Sequence, residues 1–315
     1  MKIAFLGGTG RCGTSITRKL LGSSNQVGKL KFEHRILIDP DGPIEFLDGL
    51  DHFRDPFKLD LALKRMIEHL ENLNKSFFHE KFIDFFIDNS FLKNYFTISK
   101  YSGWKLSKTF PNYNIELNNF KSFIMNFSFS GRWVGTNSYS FKNRMYYFSY
   151  EDKEKFAAAL NTFYCSIISD FLKKNGKEYF IEDSTWNINN INTLRYVFND
   201  AKFIHIFRDP RDVIASFQKQ RWMPNNINQL IMIYKHLIND ILAKIGNNKN
   251  CYSLKFEDLV DKKDLELKKL CKFLDLPYCK QMKKFQLNHG NIGRYQHDFD
   301  SHTIKKLNVD LSSEL

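Results

Sequence analysis

The sequence predicts an α/β fold with a central parallel sheet and flanking helices. Two observations predict it: short apolar runs that end in turn residues, and segments with helical spacing of apolar residues between those runs. Strands that alternate with helices pair in parallel, and such strands are buried on both faces. Ligands bind such sheets at the carboxyl ends of the strands, so we expect the functional site in the turns that follow them.

The first strand and helix open the chain. Ile3 to Leu6 is a short apolar run, and Thr14 to Leu21 has apolar residues at helical spacing, with Gly22 as its C-terminal cap. The segment between them contains four glycines. The sequence therefore predicts a strand, a glycine-rich loop and a helix.

Two similar units follow in the second half of the chain. Ala201 to Phe207 predicts a buried strand, after which Asp209 and Pro210 predict a helix start as N-cap and first helical residue. Cys251 to Phe256 predicts a third strand, and Lys262 to Phe273 the helix after it. In a parallel sheet, the turn after the strand that ends at Leu6 and the turn after the strand that ends at Phe207 lie on the same edge.

We interpret residues 1–315 as a single domain in which about 51–150 form a substrate-facing insertion. Leu61 to Leu73 fits an amphipathic helix, as does Phe156 to Leu172 beyond the insertion. Asn112 to Tyr139 is expected to be irregular. The many phenylalanines of this region are expected to pack in the core rather than to stack on bases.

The composition narrows the class of partner. Lysine and arginine exceed aspartate and glutamate by 12 (47 − 35), which favours an anionic ligand, nucleic acid or acidic membrane. Five scattered cysteines with no CxxC pair argue against a disulfide framework and against a zinc site. Without a signal-peptide pattern or a long apolar run, we expect a cytoplasmic protein with no transmembrane span.

The glycine loop fits two nucleotide-binding patterns. Gly8, Gly10 and Gly13 satisfy the dinucleotide pattern GxGxxG, and the same residues fit a Walker loop in which Thr14 stands where lysine belongs. In both patterns small residues let backbone N–H groups approach a phosphate at a helix N-terminus. The absent lysine argues against kinases and GTPases, whereas Arg11 offers a fixed cation. The loop alone leaves the choice open.

The second turn has an arginine and a serine at a suggestive spacing. Arg208 directly follows the predicted strand, and Ser216 comes eight residues later, about two turns into the predicted helix. The guanidinium of Arg208 could bind a phosphate through two parallel charge-assisted hydrogen bonds, and Ser216 could bind it through its hydroxyl. The alternative is that Arg208 forms an ion pair with Asp209 or Asp212.

Together the two turns resemble the nucleotide site of sulfotransferases that use 3′-phosphoadenosine 5′-phosphosulfate (PAPS). The segment GTGRCGTS at 8–15 is similar to their 5′-phosphosulfate loop, and FIHIFRDPRDVIAS at 203–216 to their 3′-phosphate motif. The segments EDSTWN, KFEDLV and GNIGR support the resemblance, which covers residues 3–40 and about 180–295. It implies a P-loop-like fold and sulfonate transfer, in the bacterial or tyrosylprotein-type branch.

The resemblance implies roles for individual residues. Those around the 5′-phosphosulfate would be Gly10, Arg11, Cys12, Gly13, Thr14 and Ser15. Arg208 and Ser216 would hold the 3′-phosphate, Phe256 would lie beside the adenine, and Arg294 would close over the nucleotide. The implied co-substrate is PAPS, its product is adenosine 3′,5′-bisphosphate, and no metal is required.

Glu33 is the predicted catalytic base. Its segment KFEHRI resembles the ExR element of tyrosylprotein-type sulfotransferases, in which the glutamate is the base. An ordinary carboxylate is a poor base for an alcohol, so desolvation or concerted proton transfer would be needed. His34 is the rival base because an ordinary imidazole titrates near neutral pH. Arg11 would stabilise charge on the transferred group.

One departure from the family concerns Glu182 and Asp183. Many relatives carry a lysine in this segment, where its ammonium assists the leaving phosphate. Here either Arg11 does this alone, or a basic residue of the middle segment reaches in. A relative that binds the bisphosphate without transferring sulfonate is a further alternative.

Other functions stay open at this point. The acceptor is expected to be a small molecule, glycan, lipid or peptide with a hydroxyl, and the oligomeric state is unknown. An oxidoreductase or epimerase on the GxGxxG pattern, with Glu33 or Asp39 at the ribose, would leave the second turn unexplained. A nucleic-acid binding protein would account for the basic charge, but a pocket for a polyanionic donor does so equally, and we expect no nucleic-acid partner.

Overall fold

Seven strands form two sheets in this computed structural model, which describes residues 1–30, 32–53, 55–75, 105–131, 144–246 and 248–314. The strands are β1 Lys2–Gly7, β2 Val27–Gly28, β3 Ser128–Ser130, β4 Arg144–Tyr146, β5 Tyr179–Glu182, β6 Lys202–Phe207 and β7 Cys251–Lys255. The larger sheet has the order β2-β5-β1-β6-β7, and all its strand pairs are parallel. The predicted parallel sheet is therefore confirmed.

Fourteen α-helices connect these strands within the described residues. They are α1 Thr14–Leu21, α2 Pro43–Gly49, α3 Pro56–Asn72, α4 Leu106–Thr109, α5 Tyr113–Ile124, α6 Lys153–Lys174, α7 Ile191–Val197, α8 Pro210–Phe217, α9 Ile227–Ile245, α10 Phe256–Asp261, α11 Lys263–Leu274, α12 Lys280–Lys284, α13 Tyr295–Asp298 and α14 Ser301–Asp310. None of the helices in the described part of the chain combines the length and apolar character needed to cross a membrane.

The chain divides into two compact units. The first comprises residues 1–33, 176–195 and 200–315, and the second comprises 34–175 and 196–199. The first unit contains the whole parallel sheet. The predicted insertion at about 51–150 falls within the second unit, and its residues 54, 76–104 and 132–143 lie outside the described part of the chain.

The sheet forms because its strands are apolar on both faces. Phe5 and Leu6 of the central strand β1 are fully buried, and β1 lies between β5 and β6. The three predicted strands are confirmed, except that Phe256 begins helix α10 rather than ending β7. Strands β2 and β5 were not predicted, because they are only two and four residues long.

The first unit contains two hydrophobic cores, one between the sheet and helices and one between helices. One core joins sheet residues such as Leu6 and Ile204 to α1, α10 and α11. A second core joins α8, α9 and α14 around Ile214, Phe217 and Tyr234. Because α1 and α8 each follow a strand of the sheet directly, both helices begin at the carboxyl edge of the sheet.

The second unit is held together by aromatic side chains. Phe120 stacks on Phe163 with ring centroids 5.4 Å apart, and Phe156 packs against Phe46 at 5.0 Å. The described phenylalanines therefore include many core residues, as expected. The expectation of an irregular segment from Asn112 was wrong for α5, because Leu117 and its buried neighbours at helical spacing pack on α6 despite the many polar residues between them.

Candidate functional site

The glycine loop between β1 and α1 is a tight turn that requires glycine at two positions. A Cβ on Gly8 would lie 2.2 Å from the carbonyl oxygen of Ile206, so β6 passes too close for any side chain. Gly13 is the N-cap of α1, with φ at 106°, and a Cβ there would lie 2.4 Å from the Phe256 ring. The loop backbone is thus pressed against the sheet edge.

The N-terminus of α1 is left open toward an anion. Among the described residues, no side chain caps the first amides of this eight-residue helix. Arg11 precedes the helix and takes a positive φ of 56°, a conformation that costs energy for a residue with a side chain. Its exposed guanidinium and the first amides of the helix form a cationic rim suited to binding an oxyanion.

The two predicted phosphate motifs contact each other directly. The Arg11 Nε–H donates to the Ser216 hydroxyl oxygen at 2.9 Å, and the Arg208 guanidinium donates to the Arg11 carbonyl oxygen at 3.1 Å. These contacts connect residues about two hundred positions apart because β1 and β6 are neighbouring parallel strands. The structure therefore brings the two turns together on one edge of the sheet.

Arg208 is a fixed, nearly buried cation. It is 8% exposed and pairs with Asp212 one helical turn later, with N···O at 3.1 Å. Its guanidinium also lies 5.4 Å from the centre of the Phe256 ring. Asp209, the other ion-pair partner considered from the sequence, binds Arg211 instead. The Asp212 ion pair considered from the sequence is present, and it holds the guanidinium beside the glycine loop.

Asp212 organises this edge of the site, a role that the sequence analysis missed. Its buried carboxylate accepts the backbone N–H groups of Gly293 at 2.9 Å and Tyr295 at 3.0 Å. It thereby fixes the segment that carries Arg294 next to Arg208. Arg294 itself pairs with Asp298 at 3.0 Å. The i,i+4 spacing of Arg208 and Asp212 was the sequence signal that pointed to this ion pair.

Two residues of the predicted nucleotide site are part of the core. Phe256 is only 1% exposed, and its ring packs directly against Gly13. Its ring face is therefore not accessible to an adenine in this conformation. The Cys12 side chain is fully buried, and burial raises the pKa of its thiol to about 11. Cys12 therefore contributes its backbone and its small size to the loop rather than a reactive thiolate.

Thr185 connects Glu33 to the glycine loop by two hydrogen bonds. The Thr185 hydroxyl donates to Glu33 Oε1 at 3.3 Å, and the Thr185 carbonyl oxygen accepts the Gly8 N–H at 3.0 Å. Arg35, the nearby arginine in the sequence, pairs with Asp39 at 2.6 Å. Thr185 was missed because the strand that positions it, β5, was not recognised.

His34 has a different environment from Glu33. It is 2% exposed, and burial lowers the pKa of its imidazole to about 3. The Ile36 N–H donates to Nδ1, so the proton is on Nε2, which donates to the Tyr164 hydroxyl oxygen at 2.9 Å. A buried neutral imidazole with both nitrogens engaged is poorly placed to accept a proton from an acceptor, so the geometry favours Glu33.

The acidic residues at the end of β5 and directly after it form a buried polar network. Glu182 accepts hydrogen bonds from the Ser184 N–H at 3.0 Å and from the Asn187 side-chain amide, which also donates to the Leu6 carbonyl oxygen at 3.1 Å. Asp183 pairs with Arg18 of α1 at 2.6 Å. Burial raises the pKa of Glu182 to about 8 and that of Asp183 to about 7, although Arg18 opposes the Asp183 shift. This network ties the turn after β5 to β1 and α1.

A stability prediction follows for Glu182. The pKa of Glu182 is raised from 4.5 to about 8 in the folded protein, so its neutral form stabilises the folded state. This contribution to stability is lost as pH rises from about 4.5 to 8. We expect the free energy of unfolding to fall by a few kcal/mol between about pH 5 and pH 8.5, and to fall less in Glu182→Gln. Urea titrations at several pH values measure this. An equal pH slope in both proteins would contradict the assignment. Asp183→Asn is measured in parallel, because the raised pKa of Asp183 contributes to the same pH slope.

Comparison with known proteins adds an independent finding. A sequence profile described as the sulfotransferase family matches residues 4–280. Among solved structures, the chain is similar to sulfotransferase STF9 from Mycobacterium avium, with a TM-score of 0.46, 11% identity and coverage of 100% of this chain and 76% of that chain. It is also similar to the sulfotransferase domain from the curacin biosynthetic pathway, with a TM-score of 0.43, 15% identity and coverage of 95% and 82%. It is similar as well to the sulfotransferase domain from the Synechococcus PCC 7002 olefin synthase, with a TM-score of 0.44, 14% identity and coverage of 97% of this chain and 82% of that chain. No curated protein sequence matches the chain.

Proposed function

The chain belongs to the sulfotransferase family, and on this premise we propose that it transfers a sulfonate group from PAPS to a hydroxyl of a small-molecule or glycan acceptor. The observation that carries the proposal is the contact between the two phosphate motifs, in which Arg11 donates to Ser216 at 2.9 Å. A nucleotide with phosphates at both its 5′ and 3′ positions needs two anion sites at close range. The second turn, which a dinucleotide enzyme leaves unexplained, supplies the second of them.

The residues present fit such a donor. The uncapped amides at the start of α1 and the exposed Arg11 guanidinium would hold the 5′-phosphosulfate. Arg208 and the Ser216 hydroxyl would hold the 3′-phosphate, with Arg208 oriented by Asp212. Arg294, on the segment docked to Asp212, would approach the same phosphate.

The proposed chemistry needs a proton acceptor and a stabilised leaving group. The donor supplies an activated sulfonate when bound. Glu33 would accept the proton of the acceptor hydroxyl, and Thr185 would orient the Glu33 carboxylate through its 3.3 Å hydrogen bond. Arg11 and the loop N–H groups would stabilise charge on the transferred group and on the leaving phosphate.

Asp183 changes how the family reaction would be supported here. Asp183, one of the two acidic residues in the segment where many relatives carry a lysine, pairs with Arg18, whose side chain is also nearly buried. Neither alternative considered from the sequence included this arginine. Since Arg18 is committed to a buried ion pair and to the Leu30 carbonyl oxygen, we propose that Arg11 provides the cationic support at the leaving phosphate.

A thermal-shift titration tests the proposed function. Adenosine 3′,5′-bisphosphate is expected to raise the melting temperature of the wild-type protein by several degrees at about one hundred times its Kd, because it binds only the folded state. NADH is expected to have little effect. A labelled-sulfate donor assay with pooled phenols and glycosides then measures transfer.

Each alternative predicts a different outcome. A larger shift with NADH than with the bisphosphate would favour an oxidoreductase or epimerase and overturn the proposal. Oligonucleotide binding that depends strongly on salt and survives Arg11→Ala would favour the nucleic-acid function. Bisphosphate binding without transfer to any acceptor would identify a non-catalytic relative.

A further inference from the structure

Two tryptophans form a corner on the surface of the first unit. The rings of Trp186 and Trp222 are perpendicular, with centroids 5.9 Å apart, and they are 40% and 53% exposed. Large aromatic side chains gain most of their free energy from burial, so a contiguous exposed pair commonly marks a binding surface. We call this pair the indole corner.

The indole corner is connected to the reaction site through the turn that follows β5. Trp186 directly follows Thr185, whose hydroxyl donates to Glu33 at 3.3 Å. Thr185 also contacts the glycine loop, since its carbonyl oxygen accepts the Gly8 N–H at 3.0 Å. A ligand on Trp186 is therefore one residue away from the side chain that contacts the proposed base.

The corner is also joined to the glycine loop through α8. Trp222 packs on Phe217 with ring centroids 5.8 Å apart, and the Phe217 ring lies 3.5 Å from the position of a Cβ on Gly10. The contacts thus run from the glycine loop to Thr185 and Trp186, then to Trp222, and back to the loop through Phe217. The corner borders the place where the sulfonate would be held.

The corner is connected to the acceptor side of the site through the proposed base. Trp186 directly follows Thr185, whose hydroxyl donates to Glu33. Position along α8 does not separate the corner from the nucleotide, because Ser216, a proposed ligand of the 3′-phosphate, directly precedes Phe217. The connection to Glu33 therefore assigns the corner to the acceptor, and the affinity of the tryptophan variants for adenosine 3′,5′-bisphosphate tests that assignment.

We propose that the indole corner binds a ring that carries the acceptor hydroxyl, an inference that rests on the proposed function. One indole face can stack on the flat face of a phenyl or pyranose ring, while the perpendicular indole contacts its edge. An open-chain alcohol has no such face and gains less from this geometry. The substrate class is therefore a ring-borne hydroxyl, aromatic or sugar.

The test measures binding of three neutral probes to the protein saturated with adenosine 3′,5′-bisphosphate. The probes are 2-naphthol, methyl β-D-glucopyranoside and 1-hexanol, and saturation-transfer NMR gives each Kd. We expect at least one ring probe to bind about tenfold or more tightly than 1-hexanol. Trp186→Leu and Trp222→Leu are each expected to raise the Kd of that ring probe about fivefold or more. Bisphosphate affinity is expected to stay within about twofold of wild type. Tyr196→Leu, which removes a ring of similar exposure (47%) from the second unit, is the control.

The outcomes separate this inference from the proposed function. Equal affinities for 1-hexanol and both ring probes would overturn the inference, as would tryptophan variants that bind the rings as wild type does. A loss of bisphosphate affinity in the tryptophan variants would instead place the adenine on the corner and also overturn it. Failure of the wild type to bind the bisphosphate would contradict the proposed function, while ring binding measured without nucleotide would still report on the corner.

Discussion

Replacing Glu33 by glutamine is expected to lower kcat for sulfonate transfer by about two to four orders of magnitude, because the amide cannot accept the proton of the acceptor hydroxyl. The change keeps the shape of the side chain and an oxygen that can accept the Thr185 hydrogen bond. Binding of adenosine 3′,5′-bisphosphate is expected to be unchanged. Steady-state transfer of labelled sulfonate to the best acceptor of the pooled set measures kcat, and a single-turnover experiment gives the rate constant of the chemical step.

The control for this variant is Glu178→Gln, which neutralises an exposed glutamate just before β5, at the opposite edge of the sheet. It is expected to transfer sulfonate at the wild-type rate. Full activity in Glu33→Gln would remove Glu33 from the mechanism. A large loss of bisphosphate binding in that variant would show instead that Glu33 supports the nucleotide site.

Changes at Arg208 are expected to weaken binding of adenosine 3′,5′-bisphosphate by at least about tenfold. In Arg208→Ala the bisphosphate should give little thermal stabilisation. That variant also leaves the fully buried Asp212 without its cation, which can cost about 3–5 kcal/mol of stability. Arg208→Lys keeps the charge but loses the planar fork, and is therefore the sharper test. Isothermal titration calorimetry gives the Kd of each variant.

Two further variants make the Arg208 result interpretable. Ser216→Ala removes the second proposed ligand of the 3′-phosphate without disturbing the ion pair between Arg208 and Asp212. It should also weaken the binding of the bisphosphate. Arg211→Lys is the matched control, because Arg211 lies on the same helix but pairs with Asp209. Wild-type affinity in both Arg208→Lys and Ser216→Ala would refute the proposed clamp.

Most of the sheet was predictable because its strands are local apolar runs. The runs at the start of the chain, before Arg208 and before Phe256 correspond to β1, β6 and β7. Strands β2 and β5 were not predictable in this way, since pairing with neighbouring strands defines them more than their own short sequences do. Missing β5 also concealed Thr185, the residue that connects Glu33 to the glycine loop.

Site residues were predictable where their position depends on a turn. Arg11 and Gly13 follow β1, and Arg208 follows β6. Because β1 and β6 are neighbouring parallel strands, they bring these residues together whatever the rest of the chain does. The two-turn arrangement therefore follows from local sequence and one topological rule. The roles inferred for these residues stay predictions until ligand binding is measured.

Burial and partner choice, in contrast, depend on residues far away in the sequence. His34 is neutral because Tyr164 and its apolar neighbours enclose it, and Phe256 is covered because Gly13 packs on its ring. Similarly, Asp183 pairs with Arg18 rather than acting as an open acidic group.

By itself the sequence determined the parallel sheet, the glycine loop and the two turns at one edge, because strand and turn signals are encoded within a few residues. Only the tertiary structure decided which side chains of the site are exposed, which are paired, and that Trp186 and Trp222 meet beside the loop. The physical reason is that desolvation and ion pairing depend on the full set of neighbouring atoms, and packing across the whole chain assembles that set.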